Sequence, residues 1–132
     1  MRINHIGIVV PDAQAAARVF EEAFGATRNE IVAKPGAQFR VIFMMLANCD
    51  VELLEPIGSE HPLAEWLAAH GPGIQHLAIE TSDIEEETAR LSAAGFKPKD
   101  ANPGPGARGG KILYLDPTAI CGLLVQLAQP GP

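Results

Sequence analysis

Two histidines, a glutamate and a glutamine stand in this chain at spacings that repeat. His5 and Glu52 are 47 residues apart, and His76 and Gln126 are 50 apart. Each histidine is followed seven residues later by an aspartate, Asp12 or Asp83, that opens a helix-like stretch. Glu52 in VELLEP and Gln126 in VQLAQP each stand four residues before a proline, Pro56 and Pro130. Chance supplies either match alone, but hardly both with their flanking markers, so the pattern reads as a duplication. Imidazole with a carboxylate or amide oxygen suits one hard-to-borderline divalent ion, Zn, Co, Ni, Mn or Fe, rather than Cu(I). Taken singly, each residue has a blander reading. A lone strand histidine is more often hydrogen-bonded structure than a ligand, and an isolated Glu or Gln is more often solvated. Only the repeat lifts His5, Glu52, His76 and Gln126 as a set.

The elements that must position these residues follow from patterning. Residues 2–10 alternate and are rich in β-branched side chains, which predicts a strand. The stretch AQAAARVFEEAF after Asp12 has apolar residues at helical spacing and ends at Gly25. Strands are expected over 26–33 and 38–46, around Lys34-Pro35-Gly36, and over 51–56. HPLAEWLAAH at 61–70 reads as a short helix with Pro62 in its first turn, closed by Gly71-Pro72-Gly73. The order then restarts: a strand at 74–80, a helix within 82–95 ended by Gly95, and a short strand at 96–99. A Gly- and Pro-rich loop follows at 101–110, then strands at 111–117 and 122–130. His61 and His70 bracket the middle helix as expected surface residues. Asp50, Glu55 and Asp116 are expected to be solvated, and Glu85-Glu86-Glu87 suits a helix N-terminus.

Alternation gives each candidate ligand a face. His5 shares one with Ile3, Gly7 and Val9, and His76 with Ile74, Ala78 and Glu80; Glu52 aligns with Asp50 and Leu54, and Gln126 with Leu124 and Ala128. Each helix must cover one face of its sheet. Polar groups placed under it would need buried partners, at about 1–3 kcal/mol for each left unsatisfied. Turning all four into one cavity around a cation removes that problem. The expected fold is therefore α+β, a single domain over 1–132 made of two βαβββ modules. Module 1 spans about 1–58, a linker helix about 60–73, and module 2 about 74–130. Each module is expected to be a curled mixed sheet covered by a helix, the two forming a metal-containing cavity.

Bulk properties narrow the function. A hydrophobic share of 47% and a charged share of 20% are ordinary for a globular domain. The formal net charge of −6 argues against a nucleic-acid backbone as partner. No apolar run approaches the ~20 residues needed to cross a bilayer, and the opening residues lack signal-peptide anatomy, so a cytoplasmic location is expected. Cys49 and Cys121 lack CxxC spacing and are expected to be free thiols. Arg108 and Lys111, beside Gly106, Gly109 and Gly110, are the local candidates for a substrate phosphate or carboxylate, though a plain turn is the stronger reading.

NHIGIVVPD, VELLEP, HPLAEWLAAHGPGIQHLAIET, GARGGKILYLDP and GLLVQL together resemble the vicinal-oxygen-chelate superfamily, which includes glyoxalase I, extradiol dioxygenases and the fosfomycin and bleomycin resistance proteins. Within it the chain is most similar to methylmalonyl-CoA epimerases, over nearly its whole length. The resemblance implies a metal held by His5, Glu52, His76 and Gln126 and a small-molecule substrate, an acyl-CoA thioester or another chelating compound. A homodimer is expected because open curled sheets of this kind often pair their edges or helices. It implies an isomerase or lyase acting beside a carbonyl or thioester by enolate stabilisation, with Glu52 and Gln126 as the catalytic positions. Two departures stand out. The last ligand is typically a glutamate that moves the α-proton and here is Gln126; the family's closing HPK segment reads Asp116-Pro117-Thr118. Gln126 cannot accept a proton near neutral pH, which leaves Glu52, with Glu30 and Glu80 as weaker candidates for the base. Two other functions stay open. One is a binding or resistance module without turnover. The other is a two-His-one-carboxylate iron oxygenase, against which extradiol relatives carry the carboxylate at position 126.

Overall fold

Residues 1–132 are described by a computed structural model, and their order is the repeated one. The strands are β1 (Arg2–Val9), β2 (Thr27–Ile31), β3 (Phe39–Met45), β4 (Asp50–Pro56), β5 (Gly73–Glu80), β6 (Gly104–Pro105), β7 (Lys111–Tyr114) and β8 (Val125–Gln129). The helices are α1 (Ala13–Phe24), α2 (Pro62–His70) and α3 (Ile84–Ala93), with a 3-10 turn at Pro117–Ala119. The chain divides into two compact units, residues 5–75 and residues 76–132 with 1–4.

In the first unit the strands run in the order β2-β3-β4-β1, with β1 parallel to β4 and the other pairs antiparallel. In the second unit they run β6-β7-β8-β5, with β5 parallel to β8 and the other pairs antiparallel. Each unit is thus a mixed sheet built as strand, helix and three further strands. The α+β class and the duplicated module are both present.

Small residues let α1 lie close to its sheet. Ala13 and Ala17 are fully buried, and with Ala16 and Phe20 they pack on Ile42, Met44, Val51 and Leu53. Burying a side chain the size of Leu53 or Ile42 contributes about 1.5–3 kcal/mol. In the second unit Ile84 and Leu91 of α3 pack on Leu113, Leu115, Val125 and Leu127. Gly25 and Gly95 follow the two helices with φ of 67° and 94°, a left-handed conformation that side chains disfavour. On the opposite face of the first sheet, Leu63, Trp66 and Leu67 of α2 pack on Val9, Val41, Phe43 and Leu54.

The helix N-termini are held the same way in both units. Asp12 accepts from the Ala15 amide at 3.0 Å, and Asp83 from the Glu86 amide at 2.9 Å. A second acceptor comes from a strand end. Glu55 Oε1 takes the Ala13 N–H at 2.8 Å, and Gln129 Oε1 takes the Ile84 N–H at 2.9 Å. Glu55, expected to be solvated, is therefore mostly buried and also pairs with Arg40 at 3.4 Å.

Three further expectations change. Residues 96–99 form no strand, only a bridge from Pro98 to Leu115 with its two flanking bonds, Lys99 N–H to the Tyr114 carbonyl and Asp116 N–H to the Lys97 carbonyl, both at 2.8 Å. The pairing extends no further past Asp116 because Pro117 begins the 3-10 turn. The 101–110 loop contains the two-residue β6, and its amides bond within the turn, Gly106 to the Gly110 carbonyl at 2.8 Å and Gly109 to the Gly106 carbonyl at 3.2 Å. Those amides are not an anion cradle. The last two strands are shorter than expected, since Pro117 begins the 3-10 turn and Cys121, at φ 54°, and Gly122, at φ 80°, turn the chain before β8.

Glu55→Ala and Gln129→Ala should each lower stability by about 1–2 kcal/mol in denaturant melts, the cost of an orphaned helix amide. Glu55→Gln, which keeps an acceptor oxygen, should lose less than half as much.

Candidate functional site

Register decides which face each candidate ligand takes. In β4, Val51 and Leu53 point under α1, so Glu52 between them points to the opposite face with Leu54. β1 carries Ile8 under the helix and Val9 on the other side, so His5 shares the face of Glu52. The same logic operates in the second unit. Val125 and Leu127 of β8 pack beneath α3, which turns Gln126 to the far face. Leu113 of β7 also lies beneath α3, so Tyr114 shares the face of Gln126, its direct ladder partner.

All four sequence candidates are buried, with exposures of 5% for His5, 7% for Glu52, 2% for His76 and 2% for Gln126. That is unusual for such groups, and each must be compensated. In the first unit His5 Nε2 lies 2.9 Å from Glu52 Oε2, a hydrogen-bonded pair. The His5 ring meets Phe43 edge-on, with centroids 5.6 Å apart. In the second unit the His76 ring meets Tyr114 in the same way, also at 5.6 Å. Gln126 differs: its Oε1 is buried with no hydrogen-bond partner.

That oxygen tests whether a metal fits. An orphaned buried carbonyl costs about 1–3 kcal/mol, and Oε1 is the atom through which an amide ligates a cation. His5, Glu52 and His76 are each buried and each offer one ligand atom of a type divalent ions accept. The donor chemistry fits.

The remaining candidates lie elsewhere. Glu30 is exposed on β2, where it accepts from Gln14 Nε2 at 2.7 Å and lies 3.7 Å from Arg28. Glu80 accepts from Asn4 Nδ2 at 2.8 Å and pairs with Arg2 at 3.4 Å. Lys111 pairs with Glu85 at 2.6 Å, and Arg108 Nη2 donates to Asn4 Oδ1 at 3.1 Å. His61 caps α2 through its Nδ1, which accepts from the Leu63 amide at 3.2 Å, and His70 stacks on Trp66. Asp116, expected to be solvated, caps the 3-10 turn: its Oδ1 accepts from the Thr118 amide at 3.0 Å and the Thr118 hydroxyl at 2.8 Å. Those bonds hold its carboxyl below the ordinary aspartate range. Cys49 and Cys121 are both free thiols. Burial, helped by the Asp50 charge, pushes the Cys49 thiol up and away from the reactive thiolate.

Two aromatic residues were not picked out by sequence reasoning. Phe43 and Tyr114 each sit directly across the ladder from an acid or amide candidate, at Glu52 and Gln126. In sequence they look like ordinary strand core; the signal lay in their register opposite Glu52 and Gln126.

A family model of the glyoxalase/bleomycin resistance protein/dioxygenase superfamily matches residues 4–114, a span that includes His5, Glu52 and His76. The chain is 37% identical over 130 residues to the ethylmalonyl-CoA/methylmalonyl-CoA epimerase of Cereibacter sphaeroides, with 97% of each chain covered. It is 33% identical over 129 residues to the human mitochondrial methylmalonyl-CoA epimerase, covering 97% of this chain and 73% of that one. Among solved structures, methylmalonyl-CoA epimerase from Mycobacterium tuberculosis superposes with a TM-score of 0.91 at 25% identity, covering 99% of this chain and 89% of that one.

Two measurements check these assignments. Gln126→Leu removes the orphaned oxygen and should raise the stability of metal-free protein by roughly 1 kcal/mol in urea melts, while abolishing any stabilisation by added Zn²⁺. Asp116 has its carboxyl lowered in the folded state, so its contribution is present above the unfolded value and lost as pH falls through the folded one. Asp116→Asn should therefore flatten the acid limb of a melting-temperature profile below about pH 4, near the free aspartate value.

Proposed function

Because the chain belongs to the glyoxalase/bleomycin resistance protein/dioxygenase superfamily, we propose that it is a metal-dependent epimerase of acyl-CoA thioesters carrying a second carboxylate, the methylmalonyl-CoA type. The observation that carries this reading is end-to-end similarity to an ethylmalonyl-CoA/methylmalonyl-CoA epimerase, with no large segment gained or lost on either side. One domain over 1–132 made of two modules is part of the same reading, as is a ligand set of His5, Glu52, His76 and Gln126.

Epimerisation removes a proton from a carbon beside the thioester carbonyl and returns one on the other face. A divalent ion would supply Lewis acidity toward the carbonyl, worth several kcal/mol as enolate charge develops. The residues set the rest. Two neutral imidazoles, one carboxylate and one amide oxygen give the ligand set a charge of −1, against −2 if position 126 were a glutamate. Fewer negative ligands leave a cation more electrophilic and less tightly held. Gln126 has no proton-accepting atom near neutral pH, so it positions and does not move the α-proton. Glu52, the one carboxylate of the four, is assigned the base role if it leaves the metal; its Oε2 lies 2.9 Å from His5 Nε2. Glu30 and Glu80 are committed to surface partners and are set aside.

A second reading is a module that binds an acyl-CoA without turning it over. The observation that favours it is Gln126 itself, since general-base catalysis contributes about 10²–10⁴-fold and one such group is missing.

The test is α-proton exchange in D₂O with methylmalonyl-CoA, followed by mass spectrometry beside elemental analysis of the protein. Deuterium incorporation that stops with a chelator, returns with Zn²⁺, Co²⁺ or Mn²⁺, and disappears in His76→Ala is the expected result. In Gln126→Glu the exchange rate should rise at least tenfold. Metal-loaded protein that binds the thioester without exchange would establish the binding module instead.

A further inference from the structure

We propose that Tyr114 is the positioning residue for the His76 imidazole, as Phe43 is for His5, so that each half carries a three-part ligand unit. Its consequence for metal binding rests on the function proposed above; its geometry does not. Phe43 is the direct ladder partner of Glu52, and Tyr114 is the direct ladder partner of Gln126. Each aromatic side chain therefore rises on the same face as the acid or amide opposite it. From there it meets the histidine of its own unit. The Phe43–His5 rings lie 5.6 Å apart at 88°, and the Tyr114–His76 rings 5.6 Å apart at 83°. Two separate places in the chain thus reach nearly the same edge-on geometry, which ordinary core packing would not require.

The physical consequence concerns the imidazole plane. The terminal torsion of histidine is broad and soft, so the backbone alone does not fix where its ring nitrogens point. A metal-binding lone pair lies in the ring plane, so rotation about that torsion swings the donor away from its target. An aromatic ring held perpendicular at 5.6 Å leaves the imidazole one favourable plane, with the T-shaped attraction as a restoring force. A leucine would fill much of the same space and supply no such preference. Phe43 is buried, while Tyr114 is half-buried, so Tyr114 is the member that can be changed with little risk to the core.

The experiment compares wild type, Tyr114→Phe and Tyr114→Leu in two readouts. In metal-free protein labelled at histidine, the ring-proton and ring-carbon resonances of His76 should shift and broaden in Tyr114→Leu and stay near wild type in Tyr114→Phe. The His61 and His70 signals should be unmoved in both, and thermal melts near that of wild type show that the fold is intact. In Zn²⁺ competition against a chromophoric chelator, Tyr114→Leu should bind at least about tenfold more weakly, the range seen when a ligand loses its orienting partner, and Tyr114→Phe should match wild type. Unchanged His76 resonances in Tyr114→Leu would overturn the proposal whatever the metal result. Equal damage in Tyr114→Phe would also overturn it, by assigning the effect to the hydroxyl. If wild type itself takes up no Zn²⁺ and His76→Ala behaves identically, the metal reading fails, and the metal-free spectra still decide the ring assignment.

Discussion

Strand alternation is the constraint from which the candidate site follows. Once Val51 and Leu53 are committed to the core under α1, Glu52 has only the opposite face to occupy. Once Val125 and Leu127 pack beneath α3, the same holds for Gln126. A one-residue slip would exchange the faces, driving a carboxylate or amide under a helix and a leucine away from it, so the apolar pattern specifies the register strongly. The hydrophobic core and the polar site are therefore one decision. Neither can be altered alone.

The same strands also anchor the helices, and their other face does it. Glu55 and Gln129 lie three residues beyond Glu52 and Gln126, an odd spacing that sends them to the helix side. There they take the first amides of α1 and α3. A helix N-terminus carries unsatisfied donors and partial positive charge, so an acceptor from the neighbouring strand both satisfies a bond and fixes where the helix starts. Each of β4 and β8 thus presents a candidate ligand on one side and a helix anchor on the other. Local unfolding that frees the helix would loosen the strand that carries the ligand.

Much of this was legible in the sequence because it depended on periodicity. The duplicated order, the helix starts at Asp12 and Asp83, the stops at Gly25 and Gly95 and the burial of the four polar candidates all follow from patterns of two, 3.6 and roughly 72 residues. What was not legible depended on register between strands. Glu55 and Gln129 each precede a proline in the repeated motif, so a signal was present, yet a strand-end carboxylate reads as solvated until a helix amide is known to sit above it. Phe43 and Tyr114 are twelve or fewer residues from their ladder partners, but which residue faces Glu52 or Gln126 depends on turn lengths that the repeat does not preserve. The strand expected at 96–99 failed for a local reason, because the segment it pairs with turns away at Pro117, which leaves a single bridge at Leu115.

The two halves share an architecture and differ in how their buried polar groups are satisfied. His5 and Glu52 partner each other within the first unit, whereas Gln126 Oε1 has no hydrogen-bond partner. A glutamate at position 126 would supply a base, and in the absence of a cation it would also leave a second buried carboxylate. An uncompensated buried charge costs several kcal/mol, more than the about 1–3 kcal/mol of an orphaned amide oxygen. A neutral amide keeps an oxygen donor for a metal while making the metal-free state tolerable to a small domain whose total stability is only about 5–15 kcal/mol. The amide that lacks a proton-accepting atom is thus also the one that leaves the second unit with the smaller burial penalty, an orphaned oxygen rather than an unpaired charge.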